Sequence, residues 1–143
     1  MIILDTNVVS EPLKPQVNRA VRDWLNRQSV DTLYLTTTAL AELLVGLEIM
    51  PDGKRKSDFG AEIRNTVWQL FGPRILPFDQ VAAENYARLI ALARARGISI
   101  AVADGQIAAI ALANNFAVAT RDTLPFEAAG VKVINPWTER GGA

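Results

Sequence analysis

The chain has 143 residues, half of them hydrophobic and 21% charged, with fifteen basic and fifteen acidic residues cancelling to zero net charge. That balance suits one compact domain and excludes disorder. There is no cysteine and no histidine, which excludes disulfides, thiolate metal sites, thiol nucleophiles, imidazole bases and any Ser-His-Asp arrangement.

Ile2-Ile3-Leu4 is a short apolar run closed by Asp5-Thr6-Asn7, a buried strand entering a helix-capping turn. Pro12 and Pro15 part a short first helix from a second, in which Val17, Ala20, Val21, Trp24 and Leu25 share one face. Leu33-Tyr34-Leu35 reads as a second strand, followed by a helix over 39–50 that is apolar on nearly every side and therefore expected to be buried. After the break at Pro51-Asp52-Gly53, a helix with Phe59, Ile63, Val67 and Leu70 inward runs to Gly72-Pro73. Ile75-Leu76 is a third strand. Asp79 caps a long helix with Tyr86, Leu89, Ile90 and Ala93 inward, closed by Gly97. An Ala-rich helix over 101–113, a strand Ala117-Val118-Ala119, a helical turn near Phe126 and a last strand over 131–134 complete the chain. Short strands alternating with helices predict an α/β fold with a mostly parallel sheet. The expectation is a single domain over 1–137, loosening from Pro136 on, with 138–143 a flexible tail.

No apolar run approaches the roughly 20 residues needed to cross a bilayer, and Met1-Ile2-Ile3-Leu4-Asp5 has no basic segment or cleavage site, so a cytoplasmic, membrane-free protein is expected. With zero net charge, a polyanionic partner must be met by local patches. The candidates are Lys54-Arg55-Lys56, Arg94 with Arg96, and Arg121; the first two read as solvated surface.

Without histidine or cysteine, chemistry must run on carboxylates, hydroxyls, Lys, Arg or a metal held by oxygen, which selects Mg²⁺ or Mn²⁺. Parallel sheets bind ligands beyond the carboxyl ends of their strands, near the switch in strand order. Asp5 follows the first strand, Glu42 opens the helix after the second, Asp122 follows the strand ending near Thr120, and Asp104 lies early in the Ala-rich helix. Singly, Asp5, Asp104 and Asp122 could each be a helix cap. Residues 100–103 look helix-continuous, however, which would leave Asp104 inside the helix. Glu42 lacks the Ser or Thr three residues earlier that a capping box needs, and is expected among Leu40, Leu43 and Leu44, where a carboxylate is costly. Two carboxylates about 4 Å apart repel by some 4 kcal/mol at an effective dielectric of about 20. Four together call for a divalent cation.

These residues resemble the PIN-domain nucleases, in particular the VapC/FitB-type toxins of bacterial toxin–antitoxin pairs. The likeness is carried by Ile3-Leu4-Asp5-Thr6-Asn7 with Ser10, Ala41-Glu42-Leu43, Ala103-Asp104 with Ile107-Ala108-Ala109, Ala119-Thr120-Arg121-Asp122, and the stretch from Phe126 to Asn135-Pro136-Trp137. The resemblance implies an α/β/α sandwich, a homodimer, metal-dependent cleavage of RNA, and a cognate antitoxin through which alone the protein would meet DNA. It further implies that Asp5, Glu42, Asp104 and Asp122 form the acidic, metal-holding site, supported by Thr6, Asn7, Ser10 and Thr120.

The reading is metal-assisted phosphodiester hydrolysis, with Arg121 on the substrate backbone. Unpaired RNA reaches a recessed acidic site most easily. Two alternatives remain: an aspartate-based phosphatase or phosphotransferase using Asp5, and a non-catalytic binding module that keeps the acidic pocket. Against the former, position 7 is Asn rather than a second acid, and Lys132 falls inside the expected last strand.

Overall fold

The computed structural model describes residues 1–139, so the end of the expected tail, 140–143, lies outside the described residues. Five strands, β1 (Ile2–Leu4), β2 (Leu33–Thr36), β3 (Ile75–Leu76), β4 (Ala117–Ala119) and β5 (Val133–Ile134), form one sheet. Their order is β3-β2-β1-β4-β5 and every pairing is parallel. Seven α-helices join and flank them: α1 (Thr6–Ser10), α2 (Arg19–Arg27), α3 (Thr37–Glu48), α4 (Lys54–Arg64), α5 (Gln80–Ala95), α6 (Val102–Asn114) and α7 (Thr123–Ala128). This is the expected α/β/α sandwich. Ile3, Leu35 and Val118 are fully buried at its centre, and strands covered on both faces read as continuous apolar runs rather than as alternating ones.

The chain lays β2 and β3 on one side of β1, then crosses over to place β4 and β5 on the other. The order therefore reverses at β1 and β4, the place where a parallel sheet opens a crevice beyond its strand ends. Asp5 leaves β1 there, and its backbone N–H donates to Ala119 O at 2.9 Å.

Several elements differ from their sequence-based expectation. Helix α3 starts at Thr37 because the Thr36 hydroxyl accepts the Ala39 N–H at 3.0 Å, capping the helix before the apolar pattern begins. Nor is it buried all round: only Ala39 and Leu43 are buried, while Val45 and Ile49 are 58% and 78% exposed. Hydropathy cannot tell a helix enclosed by neighbours from one with an uncovered apolar side. Beyond α4 the backbone widens into a π-helix, Asn65–Phe71, and Phe71 rather than Leu70 takes the inner position after Ile63 and Val67. The Ala-rich helix begins at Val102, not 101, and the last strand is Val133–Ile134. Lys132 accordingly precedes that strand. Pro136 is buried and Trp137 packs on the core, so the chain does not loosen at Pro136.

Helices α5 and α6 pack closely, and Gly105 is where they come nearest. A Cβ there would lie 2.9 Å from Tyr86 Cε2 and 3.3 Å from Ile90 Cδ1, and the Tyr86 ring is itself packed edge-on against Phe78. Alanine gains about 1 kcal/mol of helix propensity over glycine, whereas overpacking costs about 1–3 kcal/mol. Gly105→Ala should therefore destabilise the fold by roughly 1 kcal/mol. Urea unfolding measures this, and an unchanged or raised midpoint would contradict the packing account.

Candidate active site

Asp5 is 5% exposed and sits at the N-cap of α1. Its Oδ1 accepts the Thr6 N–H at 2.8 Å and its Oδ2 the Thr120 hydroxyl at 2.8 Å. The capping expectation and the site expectation for Asp5 thus describe one arrangement, with one oxygen serving each. Burial pushes the Asp5 carboxyl above its usual 3.8; the hydrogen bonds from Thr120 and Thr6 oppose this, and the charges of Glu42 and Asp122 add to it.

The expectation for Glu42 is corrected. Its side chain is exposed rather than enclosed by leucines, so desolvation is not its problem. It is oriented by Thr6, whose hydroxyl donates to Oε1 at 2.6 Å. Asp104 lies inside α6 as expected, rather than capping it, but only in its first turn, because residues 100–101 lie outside the helix and Ala101 is the N-cap. Burial first, then the charges of Asp5, Asp122 and Glu42, push Asp104 up to about 6. Asp122 occupies the N-cap position of α7 but makes no capping hydrogen bond, which leaves its carboxylate exposed and uncommitted.

The supporting residues form a small polar lattice. Thr120 is fully buried; its oxygen accepts the Asp122 N–H at 3.0 Å while its hydroxyl donates to Asp5. The Asn7 amide lies 3.4 Å from both Asp5 Oδ2 and Thr120 Oγ1, and its Oδ1 accepts the Arg121 N–H at 3.3 Å. Ser10 takes no part in this lattice: its hydroxyl donates to the Asn7 carbonyl at 3.4 Å, a helix-internal contact.

The four acids thus act on one another electrostatically, and Asp104 and Asp122 line one wide groove of about 710 Å³ with Arg96 and Ser99. Among the described residues no three His, Cys, Asp or Glu side chains close into a ready-made metal cage. Nor does any basic side chain pair with them: every ion pair within 4 Å among those residues lies elsewhere. Arg96 shares the groove of Asp104 and Asp122 without coming within ion-pair distance of either.

A model of the PIN domain matches residues 2–131. The chain belongs to the PIN-domain family. It is 50% identical over 137 residues to VapC ribonuclease Y4jK of Sinorhizobium fredii, covering 96% of this chain and 98% of that one. Among solved structures, FitAcB from Neisseria gonorrhoeae matches with a TM-score of 0.93 at 45% identity, over 97% of this chain and 100% of that one. FitAB bound to an IR36 DNA fragment matches with a TM-score of 0.94 at 43% identity, over the whole of both chains.

Two residues of this PIN domain escaped sequence reasoning. Glu11 is 4% exposed beside α1; Lys14 stands 2.8 Å from its Oε2, and Oε1 accepts the Asn18 N–H at 3.0 Å. The hydrogen-bonded Lys14 holds its carboxyl below the usual 4.5 against the effect of burial, and the Arg121 charge helps. Trp137 carries the Arg121 guanidinium over its ring, with Cζ 4.5 Å from the ring centre. The spacing Glu11 to Lys14 was a visible signal for the first; nothing local signals the second.

The raised value of Asp104 has a consequence for stability. Folded Asp104 takes up its proton near 6 and an unfolded Asp near 3.8, so between these values the folded state holds more protons and stability falls as pH rises. Above that window the ionised group weakens the metal-free fold. Asp104→Asn should therefore raise the unfolding midpoint in chelator at pH 7.5, by a margin that shrinks towards pH 4. Urea titrations at both values check this, and a margin that grows on acidification would contradict the sign.

Proposed function

We propose that this PIN domain is a metal-dependent endoribonuclease, the toxin component of a toxin–antitoxin pair, which hydrolyses RNA phosphodiester bonds at Asp5, Glu42, Asp104 and Asp122. The observation that carries the reading is that burial first, and then the charges of Asp5, Asp122 and Glu42, push Asp104 up, while among the described residues none of the four acids has an ion-pair partner within 4 Å. The four acids fit a hard divalent cation: they offer only oxygen donors, and their repulsion is the kind that a doubly charged ion relieves. Asp5, Glu42, Asp104 and Asp122 would hold Mg²⁺ or Mn²⁺. Such an ion supplies Lewis-acid polarisation of the phosphodiester and activation of water at neutral pH.

The chain's own residues do the positioning. Asp5 cannot swing, because both oxygens are engaged and its backbone is tied to β4. Thr6 orients Glu42, and Thr120 links Asp5 to the backbone that presents Asp122. Arg121 holds the phosphate backbone from the rim, and a flexible unpaired strand reaches the recessed Asp5. The names of the relatives support the same reading and suggest an antitoxin protein as the partner, with DNA met only through it. A cytoplasmic homodimer fits too, since a second copy would cover apolar side chains such as Val45 on α3 and Ile49 just beyond its end. An Asp5 phosphoenzyme gains no such support: position 7 is Asn rather than a second acid, and Lys132 precedes β5.

Asp5→Asn and Asp104→Asn should each lower Mg²⁺-dependent RNA cleavage at least about 100-fold without lowering the melting temperature. EDTA should abolish wild-type cleavage, and Mg²⁺ should raise the wild-type melting temperature by binding the folded state alone. Cleavage mapping on total RNA with matched thermal melts provides the check. Full activity in either variant would refute the assignment.

A further inference from the structure

Arg121 lies between Thr120, which donates to Asp5, and Asp122. Its backbone is tied to the site through Asn7 Oδ1, yet among the described residues its side chain makes no ion pair within 4 Å. What the guanidinium rests on is the Trp137 ring, 4.5 Å away. A surface arginine has many rotamers to lose on gripping a ligand. Stacking on an indole narrows that choice in advance. It also engages only the side of the guanidinium turned to the ring, so N–H donors on the other side stay open to a phosphate.

Trp137 is itself held. The pairing of β4 with β5 carries the chain past the site, with the Thr120 N–H donating to Ile134 O at 2.9 Å. Asn135 Oδ1 then accepts the Trp137 N–H at 3.0 Å, and Asn135 O accepts the N–H groups of Thr138 and Glu139 at 3.1 and 3.0 Å. The indole packs partly against the core. A ring so fixed is a platform rather than a loose surface group.

We propose that Trp137 is a positioning residue: its indole holds the Arg121 guanidinium beside the Thr120–Asp122 segment of the site, where the guanidinium grips the phosphodiester backbone of RNA. The proposal rests on the nuclease reading above for its substrate, and its test separates the two.

Wild type, Trp137→Leu, Trp137→Met, Trp137→Phe, Arg121→Ala and the Arg121→Ala/Trp137→Leu double variant are compared in two assays. One is steady-state cleavage of single-stranded RNA with Mg²⁺; the other is RNA binding by fluorescence anisotropy on an Asp5→Asn background. Trp137→Leu and Trp137→Met should raise KM and Kd roughly 3- to 10-fold, with kcat changed less than about twofold. Trp137→Phe, which keeps an aromatic face, should recover most of the loss. The double variant should be no worse than Arg121→Ala alone, because the ring acts only through the arginine.

Unchanged KM and Kd in the Leu and Met variants would overturn the proposal. So would a loss confined to kcat, additivity in the double variant, or failure of both variants to fold, which would make Trp137 a purely structural residue. Wild-type protein that binds RNA with these Kd shifts but never cleaves it would sink the nuclease reading and leave the Arg121–Trp137 grip standing.

Discussion

The parallel pairing of β1 with β4 sets Asp5 and Thr120 side by side at the central carboxyl edge of the sheet, and most of what the molecule can do depends on that juxtaposition. The Asp5 N–H continues the ladder to Ala119 O, and the Thr120 hydroxyl closes on the Asp5 carboxylate. A carboxylate enclosed in protein is tolerated only when its oxygens are satisfied. Here the same two hydrogen bonds that make it tolerable also aim it. The capping bond from Thr6 starts α1, so removing Asp5 would disturb a helix terminus and a candidate reactive group at once.

Two opposing effects meet at Asp104, and their sizes decide its behaviour. A carboxylate in the first turn of a helix gains about 0.3–1 kcal/mol from the backbone dipole. Burial and three neighbouring negative charges act the other way, and the net push up to about 6 shows that they win. Helix α6 thus spends its N-terminus on a residue that weakens the metal-free fold. A carboxyl pushed up by burial and by like charges marks a candidate functional group.

Among the described residues, no basic side chain comes within ion-pair distance of these four acids. Lys14 is taken up by Glu11, whose other oxygen joins the residues after α1 to the start of α2. Arg121 is the basic side chain nearest the acids in sequence, and it lies on Trp137 rather than on a carboxylate. The acids therefore stay without an ion-pair partner while a guanidinium waits beside the Thr120–Asp122 segment. An ion pair between Arg121 and Asp122 would have consumed both groups.

The order and type of nearly every element were legible, because Pro12, Pro15, Gly72-Pro73, Asp79 and Gly97 punctuate runs whose periodicity is plain. The four candidate acids stand out in the sequence as well, since the absence of His and Cys leaves only oxygen chemistry and each acid follows an apolar run or opens a helix. What local pattern could not supply was environment. Apolar composition marked α3 as buried, but whether Val45 and Ile49 meet a neighbour depends on residues distant in the chain. Glu42 was expected to be costly, and Asp122 taken singly could have been a cap; instead Asp5 is buried, Asp104 is half-buried, and Asp122 makes no capping hydrogen bond. By itself the chain's order of residues determined which groups are available to do chemistry and the order and type of its helices and strands, to within a few residues at their ends, because capping and periodicity act over short stretches. Only the tertiary structure decided which carboxylate is desolvated, which hydroxyl aims it and which ring carries Arg121, because desolvation and Coulomb forces depend on distances in space that chain order does not encode.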